Sequence, residues 1–91
     1  MNKQSLVEAV ALETKNSRTL VEEIVNAVVE VIQKEVEKGE DVTIMGFGTF
    51  LPGKRKASTG YNPHTGKPLE LPEMRVPKFR PGKGFKERLN K

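Results

Sequence analysis

Residues 60–68 read Gly-Tyr-Asn-Pro-His-Thr-Gly-Lys-Pro, GYNPHTGKP. The stretch is built from turn formers, with Tyr61 its one sizeable apolar side chain. On its two sides stand PGKRKASTG (52–60) and KPLELPEMR (67–75). Leu69 and Leu71 alternate with Glu70, the period of a strand. The same period puts Lys54 and Lys56 on one face and Arg55 on the other. The segments thus pair as two strand arms with Pro63 at the tip between them. Their appreciable apolar groups are Ala57, Tyr61, Leu69, Leu71 and Met74, too few for a core. Arms of about ten residues reach roughly 30 Å. A two-stranded ribbon of that length is marginal alone in water, so it is expected to gain order against a partner.

Upstream, the period changes to that of helices. Asn2 can cap a first helix to about Thr14, with Leu6, Val7, Val10 and Ala11 as its apolar stripe. Asn16-Ser17 interrupts it. Ser17 can cap a second helix, with Thr19-x-x-Glu22 as a capping box one turn in. This helix runs to Lys38 and stops at Gly39, with Lys34 and Lys38 favourably placed at its carbonyl end. Leu20, Val21, Ile24, Val25, Ala27, Val28, Val29, Val31, Ile32 and Val36 make it apolar over a very wide arc. Such a helix needs neighbours on two sides. In so short a chain the second neighbour is expected to be another subunit, here a homodimer partner.

Between helix and arm, DVTIMGFGTFLPG (41–53) alternates, breaks at Gly46 and resumes, as two strands joined tightly at MGFG. Phe47, Phe50 and Phe79 are expected to pack in the core of this sheet. The chain closes with VPKFRPGKGFKERLNK (76–91), where Pro81-Gly82 precedes a short helix over about 82–90 containing Phe85 and Leu89. Lys83 and Lys86 are placed at its start, where free N–H groups and ammonium groups both suit an anion; a solvated tail helix is the alternative. The fold class is α+β. One domain is expected over 1–91, with a helical dimerisation part at 1–39, sheet and arm over about 40–78, and the last helix.

Charge separates the chain. Residues 1–51 carry five Lys/Arg and nine Asp/Glu, net −4, whereas residues 52–91 carry eleven Lys/Arg and three acids, net +8. An acidic, apolar body and a basic extension point to a polyanionic partner. The chain has no cysteine, so no disulfide or thiolate metal site is expected. The absence of a signal-like start or a long apolar run points to a soluble cytoplasmic protein with no membrane partner. The single histidine, His64, lies in the turn with no acid beside it. There is no phosphate-cradling glycine loop followed by Lys-Ser/Thr, and no clustered metal ligands. No enzyme and no cofactor are expected.

Lys54, Arg55, Lys56, Lys67, Arg75, Lys78, Arg80, Lys83 and Lys86 form a basic array suited to phosphates. No helix serves as a major-groove reading head, so base-specific readout is not expected. A two-stranded ribbon can follow a minor groove, and an apolar tip can wedge between base pairs. A dimeric scaffold whose basic arms hold an acidic protein is the reading that needs no nucleic acid.

Gly46-Phe47-Gly48-Thr49-Phe50, then Arg55, Ser58, Gly60 and NPHTG (62–66), resemble the signature of the bacterial HU/IHF histone-like proteins, and the likeness is greatest to the HU type. VPKFRPGK (76–83), the opening MNK and the length match as well, so the resemblance spans essentially the whole chain. It implies an intertwined homodimer with a helical base and a three-stranded antiparallel sheet extending into β-ribbon arms. It implies a partner, double-stranded DNA, bent, wrapped and compacted without strong sequence preference in the bacterial nucleoid, with bent, nicked or junction forms favoured. Pro63 matches the intercalating proline, Arg55 an arm contact, and Asn62 and Thr65 the tip that also holds His64. Lys3, Arg80, Lys83 and Lys86 match basic positions that touch the backbone. A sequence-directed bender of the IHF type, usually a heterodimer, is the alternative; RNA stays open as a ligand. Three positions depart from the family's frequent residues: Gly53 where a basic residue is common, and Ser58 and Tyr61 where arginine is common. Tyr61 is read as packing across the hairpin.

Overall fold

In the computed structural model, which describes residues 1–90, the chain forms three helices and five strands. Lys91, last residue of the single-domain reading, lies outside the described residues. Two compact units are present, Met1–Lys34 and a second from Glu35 onward.

The first unit pairs α1 (Lys3–Thr14) with most of α2 (Arg18–Glu37). Asn2 opens α1 with a reciprocal cap: its Oδ1 accepts from the Ser5 N–H (2.9 Å), and Ser5 Oγ accepts from the Asn2 N–H (2.8 Å). The helix ends on Lys15 in the left-handed conformation (φ 59°), from which the Asn16 N–H reaches back to the Ala11 carbonyl. The expected Ser17 cap is present, its Oγ accepting from the Leu20 N–H at 3.1 Å. The expected Thr19–Glu22 capping box is not, because α2 already begins at Arg18 and Thr19 lies inside the first turn. Val7, Ala11 and Val21 form the buried core, with Val10 and Val25 packed against it. Leu20, Ile24, Val28 and Val31 recur at helical spacing along α2 and are 44–57% exposed, so a second apolar stripe is left uncovered beside the one that meets α1.

The second unit starts at the end of α2. Gly39 (φ 94°) donates to the Val36 carbonyl and the Glu40 N–H to the Glu35 carbonyl, both 3.0 Å, which closes the helix as the sequence predicts. Strands β1 (Val42–Ile44), β2 (Gly48–Arg55) and β5 (Met74–Pro81) form an antiparallel sheet in the order β1-β2-β5. Strands β3 (Ser58–Tyr61) and β4 (Pro68–Leu71) form a separate two-stranded ladder. Four phenylalanines hold the base of the sheet. Phe47 stacks on Phe85 of α3 (Lys83–Leu89), with ring centroids 5.4 Å apart and 14° between planes. Phe79 touches Phe47 (5.2 Å) and Phe50 (4.9 Å). Phe47, Phe50 and Phe79 pack on one another as expected and Phe85 joins them, but Phe47 (41%) and Phe79 (38%) stay partly exposed rather than enclosed in a core.

The ribbon keeps one Cα offset throughout: Gly48 faces Pro81, Arg55 faces Met74, Ser58 faces Leu71 and Tyr61 faces Pro68. Between the ladders, Lys56-Ala57 and Pro72-Glu73 belong to no strand. The hydrogen-bond alternation also changes across this break. At the base Gly82 N–H donates to the Phe47 carbonyl (2.8 Å), which makes the odd-numbered residues of β2 the bonded ones. At the tip Asn62 N–H donates to the Lys67 carbonyl (2.9 Å), which makes the even-numbered residues of β3 the bonded ones. Pro52, Pro77, Pro81 and Pro68 all fall on non-bonded pairs, where a missing N–H costs the ladder nothing.

Candidate nucleic-acid interface

The tip is a built turn. Pro63 fixes its entry, since the ring holds φ near that of a turn's first central residue. Asn62 Oδ1 accepts from the His64 N–H (2.9 Å), the Asn62 carbonyl from the Gly66 N–H (2.8 Å), and Thr65 Oγ1 from the Lys67 N–H (3.3 Å). Gly66 has φ 70°, a conformation costly for residues with a Cβ. Asn62 and Thr65 therefore use their side chains to shape the turn, while Pro63 and His64 stand exposed. Tyr61 is 76% exposed, so it is not covered across the hairpin as its sequence context predicts. Its cross-strand neighbour is Pro68, too small to hide a phenol ring.

The cations divide by what they already hold. Lys54 pairs with Glu73 at 3.4 Å, and Lys83 with Glu87 at 3.8 Å. Arg55 reaches the Met74 sulfur at 3.1 Å, and Lys3 donates to Asn26 Oδ1 at 3.0 Å within the first unit. Arg75 donates to the Glu37 and Val36 carbonyls at the end of α2, at 2.9 and 3.5 Å. Lys56, Lys67, Arg80 and Lys86 are exposed, with no ion pair among the described residues. Lys56 lies in the break, outside any strand, so it does not share a β face with Lys54 as expected. Lys86 falls in the last turn of α3, where a cation favours the helix dipole, and only Lys83 stands at the first position.

Gly53 also acquires a physical account. A Cβ built there would meet the aliphatic carbons of Lys78 within 2.5–2.9 Å, so the Lys78 stem lies over the glycine. Lys78, a member of the basic array, faces Leu51 across the ladder and reaches diagonally over Gly53.

The chain matches the family model described as bacterial DNA-binding protein over residues 1–90. The chain belongs to the bacterial HU family. It is 43% identical over 90 residues to the DNA-binding protein HU-beta 2 of Neisseria meningitidis, covering 99% of each chain. It is 44% identical over 90 residues to the DNA-binding protein HRm of Rhizobium meliloti, covering 99% of this chain and all of that one. Among solved structures it is similar to the HU of an Anabaena HU–DNA cocrystal, with a TM-score of 0.94, 40% identity, and coverage of 98% of this chain and 97% of that one. HU membership agrees with the α+β architecture and the ribbon; no helix of the described residues is long and apolar enough to cross a membrane.

Proposed function

We propose that this HU-family chain binds double-stranded DNA as an architectural protein, bending, wrapping and compacting it without strong sequence preference. The observation that carries the reading is the cationic ribbon whose tip holds an exposed proline on a hydrogen-bonded turn. In this reading the ribbon follows the minor groove and Pro63 enters between base pairs, unstacking them. Lys54, Arg55, Lys56, Lys67 and Lys78 approach phosphates along the arm, while Lys3, Arg80, Lys83 and Lys86 meet the backbone nearer the base. His64 lies at the groove beside Pro63. The role is architectural rather than catalytic, and it is placed in the cytoplasm at the nucleoid. Bent, nicked or junction DNA is preferred, because part of the deformation cost has been met in advance. Structured RNA enters as a competitor in the same assay.

The functional unit is a homodimer. Its support is the uncovered stripe Leu20, Ile24, Val28 and Val31 on α2, which a second copy would bury.

The test is a salt-titrated binding series on linear, nicked and four-way junction DNA, joined to a fluorescence-transfer measurement of bending. The wild type should bind the distorted forms more tightly, and Pro63→Ala should bend less and lose part of that preference. Equal bending and equal affinity in Pro63→Ala would remove the wedge role. Sequence selectivity of several orders of magnitude at fixed salt would replace the non-specific reading with a sequence-directed one.

A further inference from the structure

Arg75 belongs to the basic array by sequence, yet its guanidinium is engaged elsewhere. Nη2 donates to the Glu37 carbonyl at 2.9 Å and to the Val36 carbonyl at 3.5 Å. These are end-of-helix carbonyls at the negative end of the dipole; the Val36 carbonyl also accepts from the Gly39 N–H, so the Glu37 carbonyl is the main recipient of the guanidinium. A guanidinium there makes charge-assisted bonds that a neutral side chain would not. The contact also joins residues 38 and 39 positions apart in sequence, from the last turn of α2 to strand β5.

Its place along the ribbon gives the contact a meaning. Strand β1 supports β2 only from Gly48 to Phe50. Beyond that, β2 and β5 run as a two-stranded ladder until the break after Arg55 and before Met74. Arg75 faces Lys54, one pair short of that break. It lies four residues beyond Phe79, the last β5 residue opposite the β1-supported part, or roughly 13 Å at strand rise. The ribbon base is thus held at two separated points, the phenylalanine cluster and Arg75, and two points fix a direction where one would leave a pivot.

We propose that Arg75 is a positioning residue rather than a phosphate contact: it pins the proximal ribbon to the end of α2 and sets the direction in which the arm leaves. This deepens the arm-and-groove reading above and rests on it for its consequence in DNA bending. The pinning itself is a property of the protein alone.

The experiment separates the two. The chain has no cysteine, so Lys38→Cys and Glu70→Cys place one spin label beside the end of α2 and one on the distal arm. Labelled protein diluted into unlabelled protein reports the distance within one chain by pulsed dipolar spectroscopy. Arg75→Met should broaden the distance distribution and shift its mean, and Arg75→Lys, which can still donate to a carbonyl, should restore part of the narrow distribution. On DNA, Arg75→Met should lower and broaden the bend read by fluorescence transfer. The slope of log K against log salt should hold, since a positioning residue releases no counterion. A slope smaller in magnitude by about 0.9 per arm, with the distance distribution unchanged, would show that Arg75 meets a phosphate and overturn the proposal. An unchanged distribution with unchanged bending would overturn it as well. A wild type that leaves DNA straight defeats the functional reading, while the DNA-free distance measurement still decides the role of Arg75.

Discussion

Substituting Gly48 by alanine should loosen the base of the arm. A Cβ at this position would stand 2.5 and 2.6 Å from Phe79 Cζ and Cε1 and 2.7 Å from the Arg80 carbonyl oxygen. Carbon atoms at ease are about 3.5–4.0 Å apart, so the ring would have to retreat by about 1 Å. Although Phe79 is 38% exposed, a retreat disturbs its contacts with Phe47 and Phe50, and its ring centroid lies 6.5 Å from that of Phe85. The Arg80 carbonyl is ladder backbone and cannot swing aside as a side chain would. Overpacking of this kind costs about 1–3 kcal/mol. Disturbing one or two aromatic contacts adds about 0.5–1.5 kcal/mol each. The combined loss is about 1.5–6 kcal/mol, which at about 4–8 °C per kcal/mol for a chain this small lowers Tm by about 6 °C or more. Thermal unfolding followed by circular dichroism measures it, at equal protein concentration because association shifts Tm. Gly60→Ala is the matched control: its Cβ would meet only Leu71 Cδ1, at 3.9 Å. A Tm for Gly48→Ala within the experimental error of the Gly60→Ala value would refute the close-packed picture of the sheet base.

Two further outcomes follow from contacts already described. Asn2→Ala removes the reciprocal cap with Ser5 and should cost about 1 kcal/mol, read as a lower Tm, while Asn2→Asp should keep most of it; equal melting of all three would show that the cap contributes nothing. Glu73→Gln frees Lys54 and takes an acid off the ribbon, so DNA should bind about two- to fivefold more tightly at low salt, in line with an exposed pair, and the gain should fade as salt rises; weaker binding would show that the Lys54–Glu73 pair orders the ribbon instead.

Local signals were legible where chemistry is local. Asn2, Ser17 and Gly39 mark helix ends by side chains or backbone freedom that need only near neighbours, and all three act as read. The wide apolar arc of α2 was equally plain, and the uncovered stripe beside the Val21 side is its structural form. Lys15 was not legible, because a left-handed lysine is set by the turn that must follow α1 and not by lysine's own preference. The Thr19–Glu22 pattern misled for the opposite reason: the spacing fits, but Ser17, two residues earlier, already begins the helix. The destination of Arg75 and the stacking of Phe85 on Phe47 depend on residues 38 positions away in each case, which periodicity does not encode. The ribbon break at Lys56-Ala57 was hidden because the Cα offset runs through it unchanged.

The proline positions have a consequence for crowding. In an antiparallel pair the non-bonded residues turn their amide nitrogens outward. Pro52, Pro68, Pro77 and Pro81 therefore leave the outer margins of the ribbon without donors at four places, at no expense to the inner ladder. Among the described residues those margins have no neighbouring strand beyond β1, and open margins of this sort recruit strands from other molecules. If, as proposed above, the protein coats DNA without strong sequence preference, its copies meet one another along the duplex. Its arms can lie side by side there without zipping into a shared sheet, so that packing together remains reversible.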